Sequence, residues 1–253
     1  MERHNNINTQ CVMSNIRIEK GDPEYRPRPS DFHPFEGYQS EFVKDFFALS
    51  LVTFAYTNFK KARRIKNFEE LKIFIQSGNY TNRKLHDDFF KTYPQLAFDS
   101  LLDYILISIA FENYFKAKLL LNNFVIHNIK KETNADLCKK QKRQPIEVLD
   151  LIFKDKSTCK DLKETTLDYT LLLNTDMYSK YYNISSKNLK YLKKLNKYRN
   201  SLHLHMSIKF DLSKAELNNL AELKSIVETD FALLSKHLSE KLGGTNKTKL
   251  PLP

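Results

Sequence analysis

The chain has 253 residues, enough for one large domain or a domain with an appendage, and enough to build a core without disulfide or metal staples. Hydrophobic residues make up 41% and aromatics 12%, and only five glycines and eight prolines interrupt them, too few for the frequent turns of an all-β sandwich. A formal charge of +11 suits a polyanionic partner such as nucleic acid, although a lysine-rich background composition produces the same excess.

Residues 1–37 hold Pro23, Pro27, Pro29 and Pro34 and no helical periodicity, so they read as a mobile or extended arm that docks through Tyr25, Phe32 and Phe35. Cys11, Cys138 and Cys159 are scattered and lack any CxxC pairing, which predicts neither a disulfide framework nor a zinc site and fits a reducing cytoplasm. The opening MERHNNINTQ lacks the apolar core of a signal peptide, and the longest central apolar run, Tyr104 to Phe111, is too short for a bilayer. A cytoplasmic protein without a membrane partner is therefore expected.

Residues 38–242 read as one helical domain. From Gln39 onward Phe42, Phe46, Leu49, Val52 or Thr53, and Tyr56 share a face of a helix that runs into KKARRIK at 60–66. Those cations complement a helix C-terminus; a phosphate-contacting patch is the sharper alternative. Asn67 caps FEELKIFIQ, which Gly78 stops, and Thr81 caps a helix with Leu85, Phe89 and Phe90. Pro94 opens a helix through about Ile129 that is apolar nearly all round, as the central helix of a bundle should be. Glu112, Asn113 and Lys116 are its polar exceptions, and Glu112 and Lys116 have the spacing of a helical ion pair.

Residues 130–144 read as an exposed basic loop. Pro145 opens a helix with Val148, Leu149, Ile152 and Phe153, and Leu167 to Leu173 suggest a short one. Ser213 to Glu216 have the form of a capping box for a final helix to Leu242. Residues 243–253 read as a frayed tail. The expected core includes Leu102, Ile105, Ile109, Leu120, Leu192, Leu195 and Leu202.

The most informative stretch is Lys187 to Lys209. Leu189, Leu192, Leu195, Leu202 and Met206 form the apolar stripe of a helix capped by Ser185 or Ser186, and Arg199 falls on that stripe. A guanidinium keeps its charge, so an arginine in line with core leucines faces a partner, a ligand or a wet crevice. From Met177 to Phe210 there is no acidic residue, and eight lysines and arginines stand in the span. Lys190, Lys194 and Lys197 are its RNA-binding candidates. His203 lies roughly 40° round the helix from Arg199, and His205 about 120°.

Arg199-Asn200 followed by His205 after five intervening residues resembles the R-x(4-6)-H motif of the HEPN superfamily of helical nucleotide-binding domains. The long helix with Glu112, Asn113 and Lys116 before the motif and the final helix after it agree with that frame. The resemblance implies an all-α, HEPN-like helical bundle and a homodimer with a composite site. It further implies metal-independent cleavage of RNA, with no cofactor, by a toxin or antiviral-defence effector that has an antitoxin or defence-system partner. His205 would be the acid or base, Arg199 the phosphate clamp, and Asn200 the residue that orients phosphate or imidazole; His203, Glu112, Asn113 and Lys116 would support them. A non-catalytic RNA- or nucleotide-binding module of the same fold is the alternative.

Overall fold

The computed structural model describes residues 32–33, 35–76, 95–153, 159–201 and 214–243. Over these the protein is mostly helical. Ser40 caps helix α1 (Glu41–Lys61) by accepting the Val43 N–H, a one-turn helix α2 (Arg63–Lys66) follows, and α3 (Phe68–Gln76) completes the first layer. Helix α4 (Gln95–Leu121) is the centre of the bundle and packs along the length of α1. Tyr104, Ile107, Phe111, Tyr114, Phe115, Leu119 and Leu120 of α4 are buried, so the expected central helix is observed.

The face by which α1 meets α4 differs from the expected one. Val43, Ala48, Val52, Ala55 and Phe59 are buried, whereas Phe42, Phe46, Leu49 and Tyr56 are half-buried on the shoulders. Small residues at the centre let two backbones approach closely, and the large side chains then wrap round the contact. For the same reason Ile105 and Ile109 are only half-buried on α4, and Leu102 is 50% exposed rather than part of the core. Leu120, Leu192 and Leu195 are buried as expected, and Leu202 lies outside the described residues.

Helix α4 stops at Leu121, eight residues short of the expected end. Asn123 takes the left-handed conformation at φ 60°, its N–H bonds the Leu120 carbonyl, and the Phe124 N–H bonds that of Leu119. This pair of bonds is the Schellman ending, with buried Phe124 as its apolar contact. The released chain forms β1 (His127–Ile129), where helix was expected. It pairs antiparallel with β2 (Leu162–Thr166), His127 opposite Thr166 and Ile129 opposite Leu162, with an irregularity between.

The supposed loop at 130–144 contains helix α5 (Ala135–Gln141), because Asn134 accepts the Leu137 N–H and caps it. Gln141 at its end is buried and serves β1 as a surrogate strand: its amide donates to the His127 carbonyl at 2.8 Å and its oxygen accepts from Ile129 N–H at 2.9 Å. After Pro145 only a single 3-10 turn forms, Val148–Asp150, with Leu149 89% and Ile152 72% exposed. Phe35, Val125, Ile129, Ile146, Leu151, Cys159 and Leu162 make a small second core under this lobe. Phe32 and Phe35 are both buried, as expected of a docked arm; Tyr25 lies outside the described residues.

Two short helices, α6 (Tyr169–Asn174) and α7 (Asp176–Ser179), lead to α8 (Ser186–Ser201), which packs on α4 and α6. The last helix is interrupted. α9 (Lys214–Ile226) and α10 (Ala232–Gly243) are joined by a π-helical turn, Val227–Phe231, which turns Phe231 onto the Tyr114 ring at 4.1 Å. Lys241 of α10 reaches Glu41 and Asp45, and Glu228 of the π turn reaches Lys60, so the π turn and α10 together run antiparallel to α1 and are tied to both its ends. No helix of the described residues is long and apolar enough to cross a membrane. Residues 81–94, including Leu85, Phe89 and Phe90, and the segments around His203 and His205 lie outside the described residues.

Candidate functional site

Leu192 and Leu195 bury α8 against α4, and Arg199 stands one turn beyond Leu195 on the same stripe. Its Nη1 donates to Glu112 Oε2 at 3.1 Å, with the arginine side chain 31% exposed and the glutamate 18%. The other oxygen of Glu112, Oε1, accepts from Lys116 Nζ at 2.6 Å. Lys116 in turn donates to Thr166 Oγ1, the last residue of β2, at 2.9 Å, and its side chain is only 7% exposed. Arg199, Glu112, Lys116 and Thr166 therefore form one line across three elements. One carboxylate serves two cations, so the line carries a net positive charge, and its exposed end is the arginine.

Tyr169, the first residue of α6, adds a second feature. Its hydroxyl is buried and has no hydrogen-bond partner among the described residues. Burial, and then the Glu112 charge, push its pKa well up, while Arg199 opposes them, so the phenol senses both charged groups and stays a neutral O–H. A buried hydroxyl without a partner forgoes about 1–3 kcal/mol. Here the hydroxyl lies within electrostatic range of both Glu112 and Arg199. Asn196 braces the same corner by donating to Thr170 Oγ1 at 3.1 Å.

At the inner end, His127 lies opposite Thr166 on β1. Tyr38 Oη accepts the N–H of Ile126 at 2.8 Å and of His127 at 3.1 Å, so its own proton goes to His127 Nδ1 at 2.6 Å, which makes Nε2–H the imidazole tautomer. Burial, then the nearby Lys116 and His33 charges, lower the His127 pKa to about 4. It is a neutral histidine that ties residues 35–38 to the sheet, with Phe35 edge-on at 5.1 Å.

The expected site residues separate into groups. Arg199, Glu112 and Lys116 come together. Asn113 does not join them, since its amide donates back to the Ile109 carbonyl at 2.8 Å. Asn200 is exposed beside Arg199. Lys190 and Lys197 are exposed on α8 about 180–200° round from Arg199. Lys194 leans the other way, 3.8 Å from Glu216 Oε2 and 5.7 Å from the Tyr198 ring. These lysines thus form a separate face. Thr166, Tyr169 and His127 were missed: His127 fell in supposed helix, and a threonine and a tyrosine carry no sequence signal of their own.

The KKARRIK stretch is neither of the two things expected of its centre. Lys60 and Lys61 do lie in the last turn of α1, but Arg64 turns inward and is 2% exposed. It donates to Glu216 Oε1 at 2.8 Å and to Tyr104 Oη at 3.2 Å, and Asp103 accepts its backbone N–H at 3.0 Å. Glu216 also accepts from the Tyr191 hydroxyl; Ser213, the other half of the expected capping box, lies outside the described residues. Comparison with protein-family models, with curated proteins and with solved structures finds no match.

Proposed function

We propose that the protein is a metal-independent endoribonuclease of the HEPN type that acts as a homodimer, with two Arg199 sites facing one composite groove. The observation that supports this most is the setting of Arg199. It is anchored by Glu112 yet nearly a third exposed, within a cluster of net positive charge, four residues before His203 and six before His205 on the sequence. A fixed guanidinium with a free edge can hold a phosphate and the charge that develops on it during cleavage. The Tyr169 hydroxyl adds a neutral donor for the same charge. In this scheme His205 takes the proton of the ribose 2′-OH or protonates the leaving oxygen, and Asn200 orients the phosphate.

The test is cleavage of RNA by the purified wild type and by Arg199→Ala, His203→Ala and His205→Ala, with binding measured in parallel. Arg199→Ala and His205→Ala are expected to lose at least about a hundredfold in rate while His203→Ala does not. Light scattering at micromolar concentration should report a dimer. Wild-type protein that binds RNA without cutting it would instead favour the non-catalytic binding module, and a monomer that cuts would remove the composite site.

A further inference from the structure

Away from Arg199, charge is concentrated at the C-terminal end of α5. Lys139, Lys140, Lys142 and Arg143 are interrupted only by Gln141, and Gln141 is buried because its side chain completes the edge of β1. With that residue turned inward, all four cations remain exposed. Lys140 is matched by Asp150 at 3.1 Å; Lys139, Lys142 and Arg143 have no carboxylate partner among the described residues. From Leu137 to Ile146 the chain contains no acidic residue. Together with Gln144 the four cations line an open cleft of about 460 Å³.

The negative end of the α5 dipole accounts for a cation in its last turn. It does not account for Lys142 and Arg143, which lie beyond the helix, nor for the concavity. Like charges in a cleft concentrate their potential, which is unfavourable unless an anion enters. We infer that this cleft binds the phosphate backbone of single-stranded RNA. Among the described residues no aromatic side chain lines it, so the contacts go to phosphates and carry no base preference. An anionic bilayer is the other polyanion that cations attract, but a flat bilayer meets a convex tip better than a concave surface. The inference deepens the nuclease reading, on which it rests for the choice of RNA: it gives the strand a second hold away from the scissile phosphate. The hold is rigidly placed, because Gln141 is bonded to β1, β1 pairs with β2, and Thr166 of β2 receives Lys116 of the Arg199 line.

The experiment uses a fluorescent 2′-O-methylated single strand, which cannot be cut through its 2′ oxygen, and follows its binding by anisotropy over a range of salt. Each phosphate contact to a single strand contributes about −0.7 to the slope of log K against log salt. Lys142→Gln with Arg143→Gln should therefore flatten the slope by about 1.4 and weaken binding at least about tenfold at low salt. Lys72→Gln with Lys236→Gln removes the same charge from exposed helix positions and should change the slope by under about 0.5. Equal melting temperatures establish that the cleft variant is folded, and Lys139→Gln with Arg143→Gln serves as a second cleft pair.

An unchanged slope in both cleft pairs overturns the inference, and does so without touching the nuclease reading if natural RNA is still cut. Arg199→Ala, which removes one phosphate contact, should flatten the slope by about 0.7, half the effect of a cleft pair. If wild type fails to cut natural RNA yet the cleft pairs lose binding, the cleft stands and the nuclease reading falls. Sedimentation with phosphatidylserine vesicles in the absence of strand binding overturns the inference in favour of a bilayer.

Discussion

Replacing Glu112 with Gln keeps the length of the side chain and one acceptor but removes the charge that Arg199 and Lys116 share. The two cations stand in different surroundings, with side chains 31% and 7% exposed. Lys116 would be left a buried charge with Thr166 Oγ1 as its remaining full bond, and breaking a buried pair costs about 3–5 kcal/mol. The retained amide oxygen and the partial exposure of Glu112 bring this down to about 2–3 kcal/mol. Arg199 reaches water, so its half of the bridge is worth only about 0–1 kcal/mol. Glu112→Gln should therefore lower the stability read from urea unfolding by about 2–3 kcal/mol, and Arg199→Gln by less than about 1 kcal/mol. Cleavage should respond in the opposite order: loss of a preorganised cation costs about a hundred- to a thousandfold, so Arg199→Gln should be stable and inactive. The double variant Glu112→Leu with Lys116→Met, which removes both ends of the buried pair, should return to within about 1–2 kcal/mol of the wild type. Arg199→Gln as destabilising as Glu112→Gln would make the arginine a strut and refute this reasoning.

Tyr169→Phe deletes a buried hydroxyl that has no hydrogen-bond partner among the described residues, so stability should be unchanged or up to about 1 kcal/mol higher, while cleavage falls if the hydroxyl meets the substrate phosphate. Unchanged cleavage would remove Tyr169 from the site. Arg64→Met removes the buried guanidinium that Glu216 and Asp103 share and should cost about 3–5 kcal/mol in urea unfolding; a loss under about 1 kcal/mol would show that the network is wet. His127 titrates near 4 in the folded chain and near 6.5 in the unfolded one. Between those values the unfolded chain binds a proton that the folded chain refuses. Its contribution is thus fully present above about pH 6.5 and is lost as pH falls toward 4, by about 3–4 kcal/mol in all. The stability gap between wild type and His127→Gln should shrink between pH 7.5 and about pH 5, and a constant gap would exclude this linkage.

Periodicity located α1, α3, α4, α6, α8 and the final helix, because a helix that buries one face must repeat its apolar residues near every fourth position. It erred on which face is deepest. Weighting by size favours Phe42 and Phe46, yet close helix contact on α4 is made by Ala48, Val52 and Ala55. It also missed the ending of α4, although Asn122-Asn123 is an available signal, since asparagine tolerates the left-handed conformation that a Schellman ending needs. The β1 and β2 lobe was illegible for a different reason. Its strands are short, β2 reads LKETT, and its register depends on the Gln141 side chain, a long-range partner that no local pattern encodes. At the site, Arg199, Glu112 and Lys116 were legible as polar residues on apolar faces. Thr166 and Tyr169 were not, because their roles come from the contacts of β2 and α6 with α4 and α8.

Among the described residues two arginines, Arg64 and Arg199, are held by a glutamate from a distant helix, and their surroundings differ in what they leave for a ligand. Around Arg64 there are two carboxylates, Asp103 and Glu216, two tyrosine hydroxyls, and almost no exposure. Nothing anionic could approach without first displacing a carboxylate from a dry interior, which is why such a centre fixes the packing of α2, α4, α8 and α9 and does little else. Around Arg199 the balance among the described residues is reversed: two cations to one carboxylate, a guanidinium that reaches solvent, and a tyrosine hydroxyl without a hydrogen-bond partner. A phosphate arriving there would bring the acceptors and the negative charge that this corner lacks. Arg199 need not leave Glu112 to receive it, because a guanidinium has five N–H donors and, among the described residues, Nη1 alone is committed. The same glutamate that lowers the local charge therefore also aims the remaining donors, and aim is what a phosphate clamp requires.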